Sequence, residues 1–158
     1  MKKQNFFTVT IIFLISLFII TSCSGSDHAS LISELESRYD FDETVERLKE
    51  NAEDAGWTVP VVHDMQANME RSGLPVLPAK IIEICNTGHA YNILESDMEK
   101  YNMAVLPCRV SVYKKSDGLT YVSWYNYDVY SAIEHEIAKS YFRQMASDIE
   151  DIVQSVTR

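Results

Sequence analysis

The chain predicts an α+β fold: a curved, mainly antiparallel sheet with a helix after the first strand and a long C-terminal helix packed on it. Three patterns carry that expectation. Phe41, Val45, Leu48, Ala52 and Ala55 recur at alternating steps of four and three, which lines one face of a helix with apolar side chains. Ala104 to Lys115, the turn Ser116-Asp117-Gly118 and Leu119 to Tyr127 read as a hairpin rich in tyrosine and tryptophan. Ile133, Ile137, Tyr141, Met145, Ile149 and Ile152 return at steps near four, so a long last helix should cover the sheet.

Ahead of the domain, Lys2 and Lys3 precede an apolar run, Phe6 to Ile20, whose only polar members are Thr8, Thr10 and Ser16. A positive start and a core of this length predict a signal peptide. A spanning helix needs about 20 apolar residues, and this run gives way at once to Thr-Ser-Cys-Ser-Gly-Ser. Ile20-Thr21-Ser22-Cys23 resembles the lipobox of bacterial lipoproteins, in which the cysteine is lipidated and becomes the first residue. The resemblance implies removal of residues 1–22, acyl chains such as palmitate on Cys23, and anchoring in the cell envelope. Ser24, where an acidic residue would retain the protein at the inner membrane, points to the outer membrane facing the periplasm. Residues 23–30 would be the lipidated cysteine and a small polar tether, leaving 31–158 as a single domain.

Losing Lys2 and Lys3 takes the formal net charge from −9 to −11. Phosphate backbones reward clusters of Lys and Arg, and none occurs beyond residue 22, so nucleic acid is excluded as a partner. The same acidity repels anionic lipid, so attachment would rest on acyl chains.

Along the domain, Leu31, Ile32 and Leu35 fit either a first strand or a helical turn. Asp40 and Glu43 have capping-box spacing before the Phe41 stripe, and Gly56 should end that helix. Trp57 to Met65 alternates with Trp57, Val59, Val61, His63 and Met65 on one face; Pro60 suits an edge strand, and His63 is expected to point inward. Gln66 to Ser72 reads as a short helix stopped by Gly73, and Leu74 to Pro78 as a loop, because each proline disfavours helix before it. Lys80 to Cys85 is a strand with Ile82 and Ile84 on one side and Ile81, Glu83 and Cys85 on the other. Asn86 or Thr87 should cap a helix that buries Ala90, Ile93, Leu94 and Met98.

Several landmarks together resemble the bacterial domain of unknown function 302 family. They are Asp42-Glu43-Thr44-Val45-Glu46-Arg47-Leu48, Gly56-Trp57, His63-Asp64, Leu77-Pro78, Ile81 through Asn86, Ala90 through Leu94, and Leu106 through Tyr113 with Asp117-Gly118. The pattern runs from about Tyr39 to Tyr127 and leaves the final helix outside. The resemblance implies a compact α+β domain with a curved sheet, often paired as a homodimer. It brings no activity and no catalytic residues.

The chemistry must therefore come from the side chains. With Cys23 lipidated, Cys85 and Cys108 remain; in an oxidising compartment they could form a disulfide, stay as two buried inert thiols, or be reactive. Cys85 ends a strand before a helix whose N-terminal amides would depress its pKa. Glu83 shares its strand face, His63 is expected to face the same interior, and Cys108 opens a third strand, so His63, Glu83, Cys85 and Cys108 form the candidate site. Thiolates plus imidazole would favour Zn²⁺ or Cu(I), although no C-x-x-C or H-x-x-x-H spacing is present.

His89 reads as a helix-surface residue, and His28 and His135 as solvated. Tyr121, Trp124, Tyr125, Tyr127 and Tyr130 fit core and cross-strand packing. No G-x-S-x-G, Walker loop, H-E-x-x-H or dinucleotide fingerprint occurs, so hydrolase, kinase and dehydrogenase readings have no support. The first functional expectation is a non-enzymatic, envelope-anchored module that binds a small molecule or a soft metal, with the cofactor unknown. A thiol-based redox enzyme or sulfur carrier using Cys85 as nucleophile and Cys108 to resolve it is the second. A purely structural or interaction domain is the third.

Overall fold

The computed structural model describes residues 30–158; the expected leader, Cys23 and His28 lie outside the described residues. Five strands form one antiparallel sheet in the order β1-β5-β4-β3-β2: β1 Ile32–Glu36, β2 Thr58–Asp64, β3 Ala79–Cys85, β4 Cys108–Lys114 and β5 Thr120–Tyr125. The first segment is thus a strand, because Ile32 to Glu36 pair in register with Tyr125 to Tyr121 of the hairpin.

The helices are α1 Phe41–Asp54, α2 Met65–Arg71, α3 Thr87–Leu94, α4 Tyr127–Ser131 and α5 Glu136–Gln154, with a 3₁₀ segment at Lys100–Val105. Asp40 Oδ1 accepts from the Glu43 amide at 3.0 Å and starts α1, while Gly56 at φ +79° ends its last turn where an L side chain would be strained. Asn86 Oδ1 accepts from the Gly88 and His89 amides at 3.0 and 3.2 Å and starts α3.

Strand alternation sends Ile82, Ile84, Val110, Val112, Val122 and Trp124 to one face, where α1 and α5 cover them in a single core. The stripe of α5 that enters this core is Ala138, Phe142, Met145, Ile149 and Ile152. Two members of the expected stripe do not join it. Ile133 is 77% exposed because the helix starts only at Glu136, and Ile137 is 54% exposed because steps of exactly four drift off a 3.6-residue face. Met98 is likewise outside α3 and exposed.

β2 carries the second correction. Thr58 pairs with Cys85 but Val61 pairs with Glu83, so one extra residue is taken up around Val59-Pro60 as a bulge. A one-residue offset moves every later side chain to the other face. Trp57 stays buried, whereas His63 lands opposite Ile81 on the polar face of the sheet instead of pointing into the core.

Candidate functional site

The polar face is built by register. Val61, Glu83 and Arg109 lie in one row across β2, β3 and β4; His63, Ile81, Ser111, Ser123 and Glu34 lie in the next across all five strands. Glu83 is the hub, its side chain only 15% exposed. His63 Nε2 lies 3.1 Å and Arg109 Nε 3.5 Å from the same carboxylate oxygen, Oε1. The Arg109 guanidinium and the hydrogen-bonding His63 ring offset the cost of holding a carboxylate among strands.

Two shallow hollows flank Arg109. One, of about 230 Å³, lies between Val105, Leu106, Pro107, Arg109, Tyr125 and Tyr127; the other, of about 200 Å³, between Ile32, Arg109, Ser111, Ser123 and Tyr125. Each alone is smaller than the roughly 300 Å³ at which ligand pockets usually begin. Arg109 and Tyr125 line both, and the Arg109 side chain is 62% exposed, so a ligand bridging the two would meet a cation and an aromatic ring. Tyr125 is held by edge-to-face contacts with Tyr127 and Tyr130.

At the hairpin end of the same face, Lys115 Nζ lies 2.7 Å from Glu34 Oε2 and 3.8 Å from the centre of the Tyr121 ring, and Tyr113 also donates to Glu34. The Lys115 ammonium first, then the Tyr113 hydroxyl, hold the Glu34 carboxyl below its ordinary value.

Of the expected site, the structure therefore brings His63 and Glu83 into contact and leaves Cys85 on the same strand face as Glu83. It does not bring in Cys108, which points into the core beside Met145, sulfur to sulfur 3.8 Å, at 1% exposed. Both cysteines are free, and Cys108 pairs across the ladder with Ile84 rather than Cys85. Neighbours on a strand point to opposite faces, which opposes a bridge. Burial raises the Cys85 thiol, and pushes Cys108 up to about 12. Burial, not the helix start, sets the Cys85 thiol, and the Gly88 and His89 amides at that start donate to Asn86 Oδ1. Among the described residues, no three His, Cys, Asp or Glu side chains gather to hold a metal ion, so the convergent thiolate and imidazole set is not formed.

Arg109 is not among the expected site residues, although the alternation of Cys108, Val110 and Val112 with Arg109, Ser111 and Tyr113 is a signal for it. His89 departs from its expected place. That ring is not on a free helix surface but wedged between α3 and α5, with Nε2 3.2 Å from Asp148 Oδ2 and Trp57 and Tyr141 beside it at 6.0 and 6.2 Å.

No curated protein is recognisably similar to the chain. Among solved structures it is similar to the crystal structure of an uncharacterized conserved protein DUF302 from Bacillus stearothermophilus, with a TM-score of 0.73 and 20% identity over 81% of this chain and 99% of that one. Likeness at that identity carries the fold alone. The family described as domain of unknown function DUF302 matches residues 33–156, taking in β1 and α5, which the landmark pattern had left out. The chain belongs to the DUF302 family.

Proposed function

We propose that the domain is a non-enzymatic binding module, anchored to the bacterial cell envelope through lipidated Cys23, that receives a small anionic molecule on the polar face of its sheet. One observation carries the choice of site: Arg109 and Tyr125 line both hollows. The guanidinium would take a carboxylate or phosphate group and the tyrosine face the body of the ligand, while Glu83 and His63 fix the arginine from behind. A soft metal is dropped from this reading because its ligands do not converge. The thiol enzyme loses its support with Cys108 buried away from Cys85. The homodimer implied by the resemblance is carried as part of the proposal, and a native mass of twice the monomer checks it.

The test is native mass spectrometry and thermal unfolding of the full chain purified from membranes, against a panel of small carboxylates and inorganic phosphate. A bound mass or upward thermal shift that Arg109→Gln abolishes and Cys85→Ser retains supports the reading. No bound mass and no shift from any member removes it in favour of the interaction domain.

A further inference from the structure

Exposed apolar side chains collect at one end of the molecule. β1, β2 and β4 begin there and β3 and β5 finish there, so the 3₁₀ segment, α4 and the turn into α5 connect at that end. Leu31, Met98, Tyr101, Met103, Ile133 and Ile137 are all exposed. The grouping is tied together: Tyr101 donates to Glu134, Tyr130 to Asn102 Oδ1 at 2.8 Å, Tyr127 to Val105 O at 2.9 Å, and the Asn126 amide to Leu31 O at 2.8 Å. Six large apolar groups around one fixed end exceed the singly scattered exposure usual on a soluble surface.

The chain enters the domain at this same end, through Ser30 and Leu31. From Cys23 to Ser30 is seven residue steps, a reach of at most about 25 Å when fully extended. We infer that this end of the domain lies against the lipid bilayer that holds Cys23, with Met98, Met103, Ile133 and Ile137 dipping into the interface and Tyr101 at headgroup depth. This rests on the anchoring proposed above.

A competing apolar set, Leu74, Val76 and Leu77 in the loop before β3 with Leu119 in the β4–β5 turn, is exposed at the opposite end of the sheet. Seating that end on the bilayer would hold Ser30 at least the length of a strand above it, about 23 Å for the seven residues of β4. The tether would then be stretched almost to its limit, at an entropic cost that the first orientation avoids. Attraction at the chosen end is apolar rather than electrostatic, since Asp97, Glu134 and Glu136 stand there beside Lys100 and Lys139. Tyrosine and methionine suit it, one at the interface and the other in disordered acyl chains.

The experiment uses the full chain, expressed with its leader so that the host can process it, in a Cys85→Ser background with either Ile133→Cys or Leu74→Cys carrying a small fluorophore. Both positions are exposed, so neither substitution threatens folding. In phosphatidylcholine vesicles containing nitroxide-labelled lipid, the label at 133 should lose most of its fluorescence and the label at 74 little, and added salt should not restore it. Equal quenching at both positions, with the protein still on the vesicles, overturns the inference and leaves the anchor standing. An unquenched label at 133 together with a dimeric native mass assigns the patch to a second copy, and overturns it too. A protein that washes off in carbonate with no acyl mass on Cys23 defeats the anchoring itself, and this orientation with it.

Discussion

Cys108 illustrates how burial decides reactivity at a single residue. Its sulfur sits against Met145 with almost no solvent contact, and desolvation pushes the thiol up to about 12. Only the thiolate attacks a disulfide reagent, so at mildly alkaline pH Cys108 should remain unlabelled in the native protein. Cys85, partly buried and also raised, should label slowly. Adding denaturant without reductant should release both thiols, and a titration that needs reductant first would restore the disulfide. Glu34 makes the corresponding case for charge. Because Lys115 and then Tyr113 lower its folded value below the ordinary 4.5, its contribution to stability is complete above that pH and is lost as pH falls through the lower folded value. Urea midpoints of the wild type and Glu34→Gln should differ at neutral pH and converge well below pH 4.5. A gap that persists in acid would assign the effect to packing.

Helix α1 shows what local rules settle at the level of an element. Its cap, its apolar stripe and its terminal glycine agree, and replacing the cap by Asp40→Ala should cost about 0.5–2 kcal/mol, read from the urea midpoint with an unchanged slope. The same agreement makes the hairpin of β4 and β5 legible, since its alternation and its Asp117-Gly118 turn are written in one unbroken stretch from Cys108 to Tyr125. β2 was not legible beyond its existence. One residue taken up at Val59-Pro60 reverses the facing of His63, and that offset is visible only against the register of β3. The contact of His63 with Glu83 could be anticipated from their sharing a face, but which face they share could not. His89 failed for a related reason: nothing within α3 announces that Asp148, fifty-nine residues later on α5, will meet it. The start of α5 is misleading in the sequence because Ile133, before the helix, and Ile137, in its first turn, fit a repeat of four that the true stripe from Ala138 and Phe142 does not follow.

Taken whole, the domain is a sheet whose first strand sits at an edge and is locked in place by the far end of the chain. Ser37 forms an antiparallel bridge with Thr157, the Arg38 amide donates to Val156 O at 2.9 Å, and the Arg158 amide donates to Glu36 O at 3.1 Å. The Ser37 hydroxyl meets Thr44 Oγ1 at 2.7 Å and donates to Val156 O at 3.2 Å, so this clasp also reaches the first turn of α1. Val156 is fully buried between these groups. β1, α1 and α5 are therefore joined at the end of the molecule opposite the proposed bilayer contact, and removing residues 155–158 should loosen all three together. The loss of Val156 alone should cost about 1.5–3 kcal/mol. Exposing the edge of β1 should also speed exchange of the Ser37 and Arg38 amides, whose acceptors are Thr120 O and Val156 O. The expected result is a lower urea midpoint for the truncated chain with faster hydrogen exchange in β1 and the first turn of α1, while β3 and β4 keep their protection. An unchanged midpoint would mean that β5 alone holds β1 and that the clasp contributes nothing to the fold.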